Sequence, residues 1–126
     1  MGTALVTGAT SVIGEEFCWQ LAAAHHDVVV VARRKDKLEE LAEQLRQIAG
    51  VRVEVLVADL SVTEDVERVA ARLRQDEAPI GLLVNNAGFA LGKAFVDNSL
   101  EAEENALDVM VRAPMVLSYA AARAMR

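Results

Sequence analysis

At 126 residues the chain falls within the range of one compact domain, and its 53% hydrophobic and 25% charged composition is that of a globular protein rather than a disordered segment. With 13 Lys and Arg against 19 Asp and Glu, the net charge is −6 and the pI near 4.9, which argues against a binder of phosphate backbones, so no nucleic-acid partner is expected. Cys18 has no second cysteine to pair with, no apolar run approaches the ~20 residues of a membrane span, and Met1–Leu5 lacks signal-peptide character. These features together predict a cytoplasmic protein without membrane contact.

Thr3–Thr7 reads as a strand ending at Gly8, and Ile13, Phe17, Leu21 and Ala24 then recur at helical spacing, predicting a helix to about Ala24 with His25 and His26 at its end. Val28–Ala32 is continuously apolar, as expected of a parallel strand covered on both faces. Leu38, Leu41, Ala42, Leu45, Ile48 and Ala49 predict a second helix, with Asp36 as N-cap, Glu39 at capping-box spacing and Gly50 as its stop. A third strand over Val51–Ala58 precedes a helix carrying Val66, Val69, Ala70 and Leu73, which a capping box over Ser61–Glu64 would start. Leu82–Val84 makes a fourth strand ending in Asn85-Asn86-Ala87-Gly88. A looser segment through Gly92 and Lys93 leads to a long helix from about Ser99, with Pro114 as a kink. No linker or longer repeat interrupts the alternation, so residues 1–126 are expected to belong to one domain. Right-handed crossovers then predict an α/β fold, a doubly wound parallel sheet of strand order 3-2-1-4 with its crevice at the carboxyl ends of strands one and four.

The turn Thr7-Gly8-Ala9-Thr10-Ser11-Val12-Ile13-Gly14 joins the first strand to the first helix, where backbone N–H groups and the positive helix end can hold a pyrophosphate. Nineteen positions beyond Gly14, Arg33 and Arg34 begin at the end of the second strand, where a dinucleotide-binding unit reads the adenosine ribose. Arginine there accommodates the 2′-phosphate of NADP, where an acidic residue would favour NAD, so NADP(H) is the expected cofactor in preference to NAD(H).

These residues, with Asp59-Leu60 after strand three and Asn85-Asn86-Ala87-Gly88 after strand four, resemble the short-chain dehydrogenase/reductase family, whose cofactor motif is T-G-x-x-x-G-x-G followed by an acidic residue and N-N-A-G. The resemblance extends over essentially the whole chain and implies a Rossmann-like, NADP(H)-dependent oxidoreductase acting on a carbonyl or alcohol substrate. It implies that Gly8, Thr10, Ser11, Ile13 and Gly14 line the phosphates and that Arg33 and Arg34 face the 2′-phosphate. Asp59 and Leu60 would bracket the adenine, and Asn86, Ala87 and Gly88 would lie along the ribose and nicotinamide. The chain departs from the pattern at Val12, which stands at the family's middle glycine, and at Met110, which stands where the family carries a catalytic asparagine. A thioether cannot donate a hydrogen bond as an amide does, and the missing glycine implies weaker or shifted cofactor binding.

Family members also carry a serine at the end of a fifth strand and a Tyr-x-x-x-Lys pair on the next helix, where lysine lowers the tyrosine pKa for proton exchange with the substrate oxygen. By register the sequence ends at Arg126, before that strand, so the resemblance implies the cofactor-binding half, truncated after strand four and its helix, with no catalytic residue in this chain. Ser118, Tyr119 and Arg123 imitate the motif's spacing but fall on the helix after strand four. His25 and His26, as sequence neighbours, point about 100° apart on a helix, and no metal site is expected. Cys18 reads as a buried thiol and Glu101, Glu103 and Glu104 as a solvated helix start. A catalytically silent NADP(H)-binding or subunit-interaction module is the alternative reading, and the apolar edge of strand four predicts self-association.

Overall fold

The computed structural model describes residues 2–126. Four strands, β1 (Thr3–Thr7), β2 (Val28–Ala32), β3 (Val53–Val57) and β4 (Ile80–Val84), pair in parallel in the order β3-β2-β1-β4. The intervening helices are α1 (Val12–Ala23), α2 (Lys35–Ala49) and α3 (Thr63–Arg74). After β4 come α4 (Leu100–Leu107) and α5 (Ala113–Met125), joined through a wide π-type turn at Asp108–Arg112. This is the doubly wound, Rossmann-like sheet that the alternation of short β-branched runs and amphipathic stretches predicts.

Strand alternation assigns the two faces. Leu5, Val29 and Val31 point toward α3 and α5, where they meet Val66, Val69, Leu73, Ala113 and Leu117. Ala4, Val6, Val28 and Val30 point the other way, onto Cys18 and Ala22 of α1 and Leu38, Leu41 and Leu45 of α2. Both faces of β1 and β2 are thus dry, which is why their sequences are continuously apolar. β4 pairs with β1 on one side only, and Leu82 on it is 41% exposed.

The buried face of α1 is not the one its large apolar residues suggest. Ile13 and Phe17 are 64% and 42% exposed, while Gly14, Cys18 and Ala22 are the residues buried against the sheet. Small side chains let the helix lie close to β1, and burial pushes the Cys18 thiol up to about 12, with Glu15 adding to the shift.

Three helix boundaries differ from expectation. Arg34 rather than Asp36 takes the N-cap position of α2, with no side-chain cap, and Asp36 lies in the first turn. Val62 holds the corresponding position of α3, so Ser61 forms no capping box; its hydroxyl instead donates to Asp59 Oδ1 at 2.7 Å. Pro114 sits at the start of α5, and the irregularity falls on the five residues before Ala113. Proline has no N–H and clashes with the carbonyl four residues back, so the backbone widens ahead of it, with the Ala113 N–H reaching the Asp108 carbonyl. Gly50 ends α2 in the left-handed region at φ 70°, as read from the sequence.

Arg72 is a buried cation that helical periodicity alone does not reveal. Its Nε donates to Glu54 on β3 at 2.9 Å and its Nη2 to the Ala78 carbonyl at 2.9 Å, tying α3 to β3 and to the turn that enters β4.

The packing of α1 makes a direct prediction. Cys18→Leu, which overfills the helix–sheet contact, should destabilise the chain by about 1–3 kcal/mol in urea unfolding. Ile13→Gln on the outward face should change it by less than about 0.5 kcal/mol.

Candidate functional site

The carboxyl ends of β1 and β4 are joined by three polar side chains. Thr7, 1% exposed at the end of β1, accepts from the N–H groups of Asn86 at 3.0 Å and Ala87 at 3.1 Å and donates to the Val84 carbonyl at 3.4 Å. Ser11 caps α1: its hydroxyl accepts from the Gly14 N–H at 3.0 Å and donates to the Gly8 carbonyl at 2.9 Å. Asn86 completes the frame by donating from Nδ2 to the Gly8 carbonyl at 3.1 Å and to Ser11 Oγ at 3.0 Å.

Two glycines are obligatory here. Gly8 has φ +62°, and a Cβ on it would stand 2.9 Å from the Ala87 Cα. A Cβ on Gly14 would overlap the Gly8 carbonyl oxygen and lie 2.5 Å from Asn86 Nδ2. Gly88 is different, since a side chain there would meet only Met110 Cγ and Sδ at an ordinary 3.6 Å. Val12 is 88% exposed, and its φ is not positive, so the backbone at the family's glycine position holds valine without strain.

A cleft of about 220 Å³ runs along this edge. Of the residues expected at a cofactor site, Gly8, Thr10, Ser11, Arg33, Asp59, Leu60, Ala87 and Gly88 line it. Gly14 and Asn86 lie behind the lining as parts of the frame, and Ile13 is on the outer face of α1. Arg34 is directed to Asp36 at 3.4 Å instead of into the cleft. Arg33 has no ion-pair partner among the described residues. Val31, Ala32, Ala58, Phe89 and Val109 also form the walls. Val31, Ala32 and Ala58 could have been inferred from strand ends at this edge, whereas Phe89 and Val109 depend on how the loop after β4 and the wide turn fold over it.

The β3 end of the cleft is fixed by carboxylates. Asp59 Oδ1 accepts from the Ser61 N–H at 3.0 Å, and Asp65 Oδ2 accepts from the Asp59 N–H at 2.8 Å. That backbone N–H, and then the Arg68 guanidinium, hold the Asp65 carboxyl below its ordinary value.

Other chemistry-bearing residues lie elsewhere. Ser118 Oγ accepts from Asn85 Nδ2 at 3.0 Å, and the Arg123 guanidinium lies 5.6 Å from the centroid of the Tyr119 ring, which is 66% exposed. None of the three lines the cleft. His26 Nδ1 is 2.8 Å from the Gly2 carbonyl, and the described residues contain no cluster of His, Cys, Asp and Glu able to hold a metal. No helix among them is long and apolar enough to cross a membrane.

The family model described as short chain dehydrogenase matches residues 2–126. The chain belongs to the short-chain dehydrogenase family. It is 38% identical over 97 residues to the very-long-chain 3-oxoacyl-CoA reductase of Anas platyrhynchos, a match covering 75% of this chain and 30% of that protein. It is 33% identical over 109 residues to the human epidermal retinol dehydrogenase 2, covering 86% of this chain and 35% of the relative. Among solved structures, the Sphingobium yanoikuyae short-chain dehydrogenase in complex with NADPH superposes with a TM-score of 0.94 at 41% identity, over 98% of this chain and 48% of that one. The bulky-bulky ketone specific alcohol dehydrogenase of Comamonas testosteroni gives 0.94 at 37%, over 98% and 49%. This chain therefore spans about a third of those curated relatives and about half of those solved structures.

Acid unfolding tests the clamp at the β3 end. Because the folded pKa of Asp65 is lowered, its contribution is present above the unfolded pKa of about 4 and is lost as pH falls through the folded value. Asp65→Asn should therefore lower stability at pH 7, and the difference from the parent chain should shrink on titration toward pH 3, read from urea midpoints. Separately, Gly14→Ala should cost about 1–3 kcal/mol in the same assay, because the added methyl must displace the Gly8 carbonyl or Asn86.

Proposed function

We propose that the chain forms the cofactor-binding half of an oxidoreductase that transfers hydride between a nicotinamide and a carbonyl or alcohol substrate, and that it takes NADP(H) in preference to NAD(H). The observation carrying this reading is Arg33, a guanidinium with no ion-pair partner among the described residues, on a cleft that runs from the Gly8 turn to Gly88. The NADPH-bound Sphingobium yanoikuyae neighbour supports it.

The residues present fit such a group. Gly8 and Gly14 keep the turn free of side chains, and the N-terminus of α1 supplies a positive dipole end for the pyrophosphate. Thr10 makes no side-chain hydrogen bond among the described residues, so its hydroxyl is free to donate. Arg33 would meet the 2′-phosphate, Asp59 and Leu60 would flank the adenine, and Ala87 and Gly88 would border the ribose and nicotinamide, all of them residues that line the cleft. The nicotinamide, when bound, supplies or accepts the hydride. Within this chain Met110 stands beside Gly88 where the family has its asparagine, and its thioether has no proton to donate.

Val12 and Met110 favour a second reading, a silent NADP(H)-binding or subunit-interaction module, since such a protein has no use for the residues they replace. Self-association is part of either reading. It is supported by the outer side of β4 and by exposed Leu107, Val111, Met115 and Tyr119, which recur at every fourth position from the end of α4 through the wide turn into α5.

Fluorescence titration of the chain should give tighter binding for NADPH than for NADH. Arg33→Ala should weaken NADPH by about tenfold and leave NADH unchanged. Val12→Gly should tighten both. The 126-residue chain should consume no NADPH with any carbonyl substrate; turnover would contradict the assignment of the catalytic machinery outside it, and sub-micromolar NADPH binding without turnover would favour the silent module.

A further inference from the structure

Positions 33–37 carry four cations and one acid, and the structure sorts the cations into two kinds. Arg34 pairs with Asp36 at 3.4 Å and Lys35 with Glu39 at 3.9 Å. Arg33 and Lys37 have no ion-pair partner among the described residues.

The two unpaired cations border adjoining hollows. Arg33 lines the cleft described above, and Lys37 lines a second hollow of about 270 Å³ between the starts of α1 and α2, with Glu15, Glu40 and Gln44. Thr10 lines both. Its half-buried side chain is therefore the ridge between them, a hydroxyl without a hydrogen-bond partner among the described residues and with a cation bordering the hollow on either side. Glu15 and Glu40 make the interior of the second hollow hostile to an anion, which confines a phosphate to the ridge. The flexible four-carbon stem of Lys37 carries a compact charge suited to reaching it there.

Building on the NADP(H) reading, we infer that Lys37 is a second cation of the 2′-phosphate subsite, acting with Arg33 across Thr10 to set the preference for NADP(H) over NAD(H). The dianion has two cations and one hydroxyl to meet, and the unphosphorylated ribose needs none of them. Lys37 lies on the helix after the β2 turn, beyond the arginine pair that the sequence motif marks.

Calorimetric titration with adenosine 2′,5′-bisphosphate and adenosine 5′-monophosphate tests this, because the two probes differ only in the 2′-phosphate, so that any contribution from the shared 5′-phosphate at the turn beside Val12 cancels between them. Lys37→Gln should weaken the bisphosphate about three- to fivefold and leave the monophosphate unchanged. Lys37→Arg should restore the preference, and Lys35→Gln, which removes the same charge from the same helix turn, should preserve it. An unaltered preference in Lys37→Gln, an equal loss for both probes, or an equal effect of Lys35→Gln overturns the inference. If Arg33→Ala abolishes the preference and Lys37→Gln does not, the role of Lys37 falls and the NADP(H) reading stands. If the parent chain shows no preference for the bisphosphate, both fall.

Discussion

The contact on which the site depends is the one between the Gly8 carbonyl, Gly14 and the Asn86 side chain. A helix beginning at Val12 can lie against the ends of β1 and β4 only if the residue facing that carbonyl has no Cβ, and Gly14 meets the condition. Once the helix is seated, Ser11 and Asn86 close the remaining polar groups on one another, and Thr7 does the same for the first N–H groups after β4. A serine hydroxyl has one proton to give, and that of Ser11 goes to Gly8. The residues at this edge thus divide into those whose hydrogen bonds are internal, among them Ser11 and Asn86, and two lining side chains, Thr10 of the turn and Arg33 after β2, with no side-chain hydrogen bond or ion pair among the described residues.

This division reconciles an acidic chain with an anionic cofactor. A net charge of −6 spread over the surface is screened over about 8 Å at physiological ionic strength, so the local arrangement governs what the cleft attracts. There the start of α1 and the unpaired Arg33 meet at one edge of the sheet. Asp59, the acid at the same edge, has its Oδ1 occupied by the Ser61 N–H and hydroxyl.

Most of the architecture was legible in the sequence because parallel strands covered on both faces must be apolar throughout, as Val28–Ala32 is. The turn from Gly8 to Gly14 was legible for a related reason: steric demands at these two positions leave little choice of residue. What the sequence misplaced involved weak or competing local signals. Cys18 is buried as its sequence setting suggests, but small residues such as Gly14 and Ala22 carry little hydrophobic weight, so the spacing of the larger Ile13 and Phe17 marks the outer face of α1 instead. Asp36 and Ser61 have the chemistry of helix caps, yet Asp36 pairs with Arg34 and Ser61 with Asp59. The placement of Val109 in the cleft depends on the wide turn before Pro114, and that of Phe89 on the loop after β4, whereas the register of the sequence already marked Met110, which packs against Gly88.

Backbone amide chemical shifts of the labelled chain, recorded with and without NADPH, test the account at its centre. The account predicts shifts concentrated at Gly8–Gly14, Arg33, Asp59–Leu60 and Asn86–Gly88, the positions that frame or line the cleft. Perturbations centred away from the carboxyl edge of the sheet, or none at saturating cofactor, would contradict it.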